Sequence, residues 1–421
     1  MQPLIADLTL RRFGLSDRVI RLWGDPIRAI FAAIALGTIA AFITIDWRIL
    51  QQTATTRHYS DFGLFYAQAV RGAQGADPYG PIVRPGRQGQ DTGKNLNPPH
   101  FHLLMRPLTW FPPRTAFAIW IAGWITSVSI ALALTYRTLR VRVSIAVVAL
   151  SVLGTLVSAP TMAALVFGQV SPLLALPMTW AWIEARRARW ERAAVALGVL
   201  ASLKLFLGMF LLYFVVQQRR RAVLAFVAAV VIPWAAGIAA FGFDGVRSYL
   251  SMLGGVSWAA HVLNGSVYGV CERIVRGGPF PWVVAAVPFA KGLSITLLWL
   301  IVIFPIAGLT LWTVRAGDRP GDVDRAFLLV TTAALLISPL GWSYYCWLFA
   351  GPLIALAVTR WRLLPRHART LLCIAVPGLL CPPPMLSAGQ PSAWATVTIG
   401  SLNFWSFAAI WGAALLTRDT R

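Results

Sequence analysis

Apolar residues run along this chain in long blocks separated by short basic connections. The blocks 28–45, 113–136, 143–159, 170–185, 223–242, 291–314, 326–341, 343–359, 370–387 and 398–416 approach the roughly 20 residues a helix needs to cross a bilayer. A different pattern occupies 58–70 (HYSDFGLFYAQAV), where apolar residues recur at helical spacing with polar ones between them. That periodicity predicts an amphipathic helix lying on a membrane surface. The stretch 72–99 is rich in Gly, Pro, Asn and Gln and predicts irregular loop. No internal repeat and no separate soluble domain is visible.

Composition fixes the class. The chain has 421 residues, 57% hydrophobic and only 12% charged, with a mean hydropathy of +0.67. Soluble domains carry about 25% charged residues. The first apolar block is followed by Asp46-Trp47-Arg48 with no small-residue cleavage site, so a retained first span is expected. Of the four cysteines, Cys271, Cys346, Cys373 and Cys381, no pair has metal-ligand spacing, and they read as packing residues.

The formal charge of +22 suggests nucleic acid, but its placement argues otherwise. Basic clusters fall at 11–28, 137–142, 186–192, 219–221, 315–325, 360–369 and 418–421, at the ends of apolar blocks. Arginine-rich loops stay cytoplasmic. Both termini are therefore expected in the cytoplasm of a bacterial inner membrane, with the segments 46–112 and 243–290 as two long periplasmic loops. Residues 193–217 break the alternation, because basic clusters flank both ends. Two short helices that enter and return, turning near Lys204, resolve the conflict, and such backbone survives at depth only beside protein or water. The expectation is an all-α polytopic membrane protein with about ten full spans plus a re-entrant pair, 11–12 transmembrane helices in one domain.

Sidedness sorts the fifteen acids. Asp7, Asp17, Asp25, Glu184, Glu191, Asp318, Asp322, Asp324 and Asp419 fall in cytoplasmic segments. None is expected mid-span, which argues against a proton-coupled transporter. Asp46, Asp61, Asp77, Asp91, Asp244 and Glu272 fall outside. Asp46 reads as an interface marker, Asp77 before Pro78 as a turn residue, and Asp91 as a loop residue. Asp61 opens the amphipathic helix, with His58 three residues before it. A first-turn acid complementing the helix dipole and a catalytic carboxylate both fit there.

Other polar residues share that face. Lys204 lies within the apolar run LASLKLFL, where it either snorkels to an interface or holds a phosphate as a point charge. Gln169 opens a span after Gly168. Asn97-Pro98-Pro99-His100 leads into 101–111. Asn264, Ser266 and Arg273 share the second outer segment, and Arg273 suits a phosphate fork or a pairing with Glu272 or headgroups. Ser338-Pro339-Leu340-Gly341-Trp342 joins two spans.

In order, DFxxFYxxA (61–69, including Tyr66) with DPY (77–79), NPP with a later PL (97–108), GQxSxLL (168–174), SLK (202–204), NxSxxG (264–269) and SPxxW (338–342) resemble glycosyltransferase family 87. The resemblance runs over about 46–345 and implies a GT-C fold and a polyprenyl-phosphate-sugar donor, as in mannosyltransferases of phosphatidylinositol mannoside synthesis. It implies that Asp61 is the catalytic base. Where the family often carries histidines after SPxxW, this chain has Ser343, Tyr344 and Tyr345.

The expected activity is inverting transfer of a hexose, mannose by resemblance, to an acceptor hydroxyl on a glycolipid or glycan. Lys204, Arg273 and Tyr344 are expected at the donor phosphate. His58, Tyr66, Asn97, His100, Gln169, Asn264, Ser266 and Trp342 are expected to line the site. No cofactor, metal or nucleic acid is called for. A lipid-linked sugar flippase shares the spans and cations but needs no outer base, and a scaffold needs neither Asp61 nor Lys204.

Overall fold

The structure, a computed structural model, describes residues 60–80, 95–141, 151–152, 154–155, 158–254, 256, 258–277, 292–315, 317, 319–361, 364–380 and 393–417. His58, the expected first span 28–45, and most of 143–159 lie outside these residues, as does the end of 370–387. Among the described residues there are helices and an isolated bridge between Asn264 and Trp342, with no strand.

In chain order the helices are α1 Ser60–Ala73, α2 Pro99–Met105, α3 Pro113–Thr138, α4 Ala159–Phe167, α5 Ser171–Arg186, α6 Trp190–Leu203, α7 Met209–Val216, α8 Arg220–Gly254 and α9 Val267–Arg276. They continue as α10 Ile295–Thr313, α11 Pro320–Ile337, α12 Ala350–Thr359, α13 Arg366–Leu380, α14 Ala393–Val397 and α15 Leu402–Leu416. Among the described residues, four helical stretches are long and apolar enough to cross a membrane: α3, α8, α10 and Ala393–Leu416. The expected ten spans exceed that number. Several of the other apolar blocks fold as shorter helices joined through 3₁₀ turns, such as Ser343–Phe349 running into α12.

α1 forms where the periodicity places it and runs three residues further. Phe62, Phe65 and Ala69, at i, i+3 and i+7, are buried on one face. Phe62 meets Phe117 and Trp120 of α3 at ring-centroid distances of 5.1 and 5.8 Å, and Phe65 meets Phe101 of α2 at 5.3 Å. Asp61 in the first turn and Arg71 in the last complement the dipole.

The block 193–217 is broken at Lys204, where the turn was expected. α6 ends at Lys204, whose backbone is extended (φ −133°, ψ 91°), and a 3₁₀ turn over Leu205–Gly208 leads into α7. α6 lies close against α8: a Cβ on Gly198 would come within 2.5 Å of the Phe226 carbonyl oxygen. α8 itself outruns the expected span. It kinks at Gly242, where φ of 67° and ψ of 179° suit glycine, and resumes as helix to Gly254 in what was expected to be loop. α11 is buried over nearly its whole length from Val323 to Leu336. Being apolar all round beyond its first turns, it forms the middle of the bundle.

Two acids assigned to cytoplasmic segments prove buried. Asp324 accepts from Trp182 Nε1 at 2.8 Å and pairs with Arg186 at 3.2 Å, joining α11 to α5. Glu184 is ringed by Arg187, Arg189 and Arg192 at 3.1 to 3.7 Å. A buried carboxylate persists only when charges and donors surround it.

Candidate active site

The turn between α4 and α5 brings Gln169 to Asp61. It reverses at Gly168, whose φ is +70° and whose carbonyl accepts from Trp120 Nε1 at 3.2 Å. A Cβ there would sit 2.4 Å from Phe62 Cβ and 3.1 Å from Phe62 N, so only glycine lets this turn touch the start of α1. The contact seats Gln169 Nε2 as a donor to Asp61 Oδ2. Gly168→Ala is expected to cost about 1–2 kcal/mol in backbone strain alone. It should also push α1 away, so that turnover falls more steeply than the unfolding temperature. Parallel activity and thermal-unfolding measurements check this, and unchanged turnover would disprove the role of the turn.

Across from Asp61 stands Lys204, at the break between α6 and α7. Its Nζ donates to Asn97 Oδ1 at 2.8 Å and lies 5.8 Å from the centre of the Tyr345 ring. A cation over an aromatic face within about 6 Å is attracted to it. Lys204 keeps part of its surface exposed, and Asp61 is likewise partly exposed. The carboxylate lies within electrostatic reach of Lys204, Tyr344 and Tyr345. Tyr344 stacks on Trp342, centroids 5.7 Å apart, and meets Tyr345 edge-on at 5.2 Å. A carboxylate, a cation and two phenols from three separate segments thus converge.

The remaining residues expected at the site take other places. Arg273 is fully buried: Nε donates to Ser401 Oγ at 3.1 Å, and Nη1 donates to the carbonyls of His261 (2.9 Å), Asn264 (3.1 Å) and Ala260 (3.4 Å). Its fork grips the loop before α9, so the donors that were expected to meet phosphate are largely engaged by carbonyls. Asn264 donates to the carbonyls of Ala259 and Pro339 and accepts from the backbone N–H groups of Ser266 and Gly341. Ser266 caps α9 by accepting from Gly269 N at 3.0 Å. These residues tie the loop before α9 to the Ser338–Trp342 turn. An isolated bridge joins Asn264 to Trp342. Tyr66 donates to the Phe111 carbonyl at 2.8 Å and secures α1 against the connection to α3.

His100 packs on Trp234 at 5.5 Å beside the backbone of Ser202. Its neighbour His102 is caged by Tyr79, Phe101 and Phe241 at 5.2, 6.0 and 6.3 Å. Neither ring nitrogen of His102 has a hydrogen-bond partner among the described residues. Both histidines lie on α2. Burial pushes His102 down to about 3, with His100 adding repulsion, and pushes His100 down to about 4. Each folded value lies below the usual 6.5, so the unfolded chain binds the extra proton first. Their contribution to stability is complete above the unfolded value and is lost as pH falls from about 6.5 towards 4 for His100 and towards 3 for His102. The unfolding temperature is expected to drop across that window, and His102→Phe should flatten the drop. An identical slope in the variant would refute the assignment.

The polar groups that sequence reasoning missed are Gln68 and Asn95. Gln68 lies seven residues after Asp61 on α1, and Asn95 two before Asn97, so spacing held a faint signal for both.

The sequence profile of glycosyltransferase family 87 matches residues 95–339, more than half of the chain. The chain belongs to glycosyltransferase family 87. The matched region holds Asn97, Gln169 and Lys204, while Asp61 precedes it and Tyr344 follows it. This family 87 chain is 26% identical over 261 residues to a polyprenol-phosphate-mannose-dependent alpha-(1-2)-phosphatidylinositol mannoside mannosyltransferase of Mycolicibacterium smegmatis, covering 58% of this chain and 55% of that protein. The protein of the same description from Mycobacterium tuberculosis is 25% identical over 202 residues, 47% of this chain and 43% of its own length. The alignments thus span about half the length of these relatives. No solved structure matches the chain.

Proposed function

We propose that this membrane protein transfers a hexose, mannose in the first instance, from a polyprenyl phosphate to an acceptor hydroxyl at the periplasmic face of the inner membrane. The observation that carries the reading is the Asp61 carboxylate, held by Gln169 and facing the ammonium of Lys204. The relatives' names support the donor class, and a phosphatidylinositol mannoside is the first acceptor to try. The GT-C fold and the additional spans belong to the same proposal.

In this mechanism Asp61 takes the proton of the acceptor hydroxyl as its oxygen attacks the anomeric carbon. The bond from that carbon to the phosphate oxygen breaks, and the lipid phosphate leaves with the electron pair. Attack opposite the leaving group inverts the centre. A phosphate leaves without a general acid, so one carboxylate suffices where glycosidases use two. Lys204 meets the charge growing on the phosphate, and the Tyr344 hydroxyl adds a donor.

Purified protein in liposomes, given polyprenyl-phosphate [14C]mannose and phosphatidylinositol mannoside, is expected to yield a labelled glycolipid. Movement of the labelled donor across the bilayer with no glycosylated product would overturn transfer in favour of a flippase.

A further inference from the structure

α1 carries polar groups at both ends of one face. Asp61 and Gln68 are seven residues apart, nearly two turns, about 10 Å along the axis. Asp61 accepts from Gln169. Gln68 Oε1 accepts from Asn95 Nδ2 at 2.6 Å. Asn95 Oδ1 in turn accepts from the backbone N–H and the Nδ2 of Asn97, at 2.9 and 2.8 Å. Asn97 Oδ1 accepts from Lys204 Nζ at 2.8 Å, and the Asn97 carbonyl accepts from Tyr79 at 2.7 Å. Gln68, Asn95 and Asn97 are 0%, 1% and 2% exposed.

The direction of this chain matters more than its length. Starting at Lys204, every step runs from an N–H to an amide oxygen. The three side-chain amides therefore turn their negative ends towards the ammonium, and such aligned bonds polarise one another in a dry interior. They favour a charged lysine without supplying a charge of their own. An ammonium beside Asp61 would otherwise bond to the carboxylate directly. That ion pair would occupy both the group that has to take a proton and the group that has to meet phosphate. Among the described residues, the hydrogen bond made by Lys204 Nζ goes to a neutral oxygen.

We infer that Gln68 and Asn95 are positioning residues: through Asn97 they hold the ammonium of Lys204 off Asp61 and towards the donor phosphate. This rests on the transfer reading above, since it assigns Lys204 to the phosphate. Gln68→Leu removes the acceptor that anchors the chain, and Gln68→Glu retains an oxygen there. Gln68→Leu is expected to raise the donor KM about tenfold with a smaller loss in kcat, and Gln68→Glu to recover most of it. In a Lys204→Met background Gln68→Leu should have no further effect, because the two act as one unit. Independent, multiplying losses would overturn the inference.

A second readout needs no turnover. The chain holds three lysines, Lys94, Lys204 and Lys291. Nitrogen-15 lysine labelling, assigned with Lys204→Met, should show the Lys204 side-chain signal moving in Gln68→Leu while the other two stay. An unmoved Lys204 signal in a folded variant would overturn the relay. A moved signal in protein that makes no glycolipid would instead retain the relay and reject the transfer reading. Should Gln68→Leu not fold, Gln68→Asn, which shortens the side chain by one methylene, carries the same comparison.

Discussion

Asp61→Asn is expected to abolish glycosyl transfer while the protein inserts and unfolds much as before. The substitution keeps an oxygen to accept from Gln169 Nε2, so the contact between α1 and the Gly168 turn survives. What it removes is the capacity to take a proton. General-base catalysis contributes about 10²–10⁴-fold, roughly 3–5 kcal/mol of barrier. Loss of the first-turn charge costs the helix only about 0.3–1 kcal/mol. The two roles that the sequence leaves open for Asp61 therefore differ in the ratio of effects. A catalytic base gives a collapse in turnover with a small change in unfolding temperature. A dipole partner gives a modest loss of both together. Radiolabelled turnover alongside thermal unfolding in detergent separates them, and turnover within about threefold of the parent would remove Asp61 from the mechanism.

Some of this arrangement was legible before the structure and some was not, for physical reasons that can be named. α1 could be read because its burial follows a helical period: Phe62, Phe65 and Ala69 repeat as a solvent-to-core gradient demands. The break at Lys204 could be read because basic clusters flank 193–217 on both sides, and charge does not cross with the helix. Gln68 could not. One amide in an amphipathic helix looks like any surface residue, and its partner, Asn95, comes from an Asn-rich stretch that reads as plain loop. Arg273 shows the limit from the other side. A guanidinium offers the same fork to a phosphate and to a row of carbonyls, and only the tertiary path of residues 260–264 decides between them. Asn264 and Ser266 share that ambiguity, since caps and ligand contacts use the same atoms. Family resemblance brought Asp61 forward, yet the matched profile begins at residue 95, and a hydrogen bond from Gln169 ties Asp61 to the matched region.

Lys204→Met should be nearly as damaging to activity, and in a different parameter. The substitution keeps an unbranched stem of similar bulk at the break between α6 and α7 and deletes the charge. Removing one preorganised electrostatic contact to a developing anion typically costs about 10²–10³-fold. The loss should fall on kcat/KM for the lipid-phosphate donor and leave the acceptor KM close to the parent value. Stability pulls both ways. Asn97 Oδ1 loses its partner, worth about 1–3 kcal/mol when buried, while the fold no longer has to desolvate an ammonium. The unfolding temperature should consequently shift little. Lys204→Arg restores charge but brings a wider, planar group against Tyr345, and partial recovery is expected. A snorkelling lysine makes the opposite forecast: Met at that depth is tolerated or stabilising, and the kinetics of donor use do not move. Titrating the donor against fixed acceptor in both variants decides the matter, and parent-like kcat and donor KM in Lys204→Met would end the phosphate role.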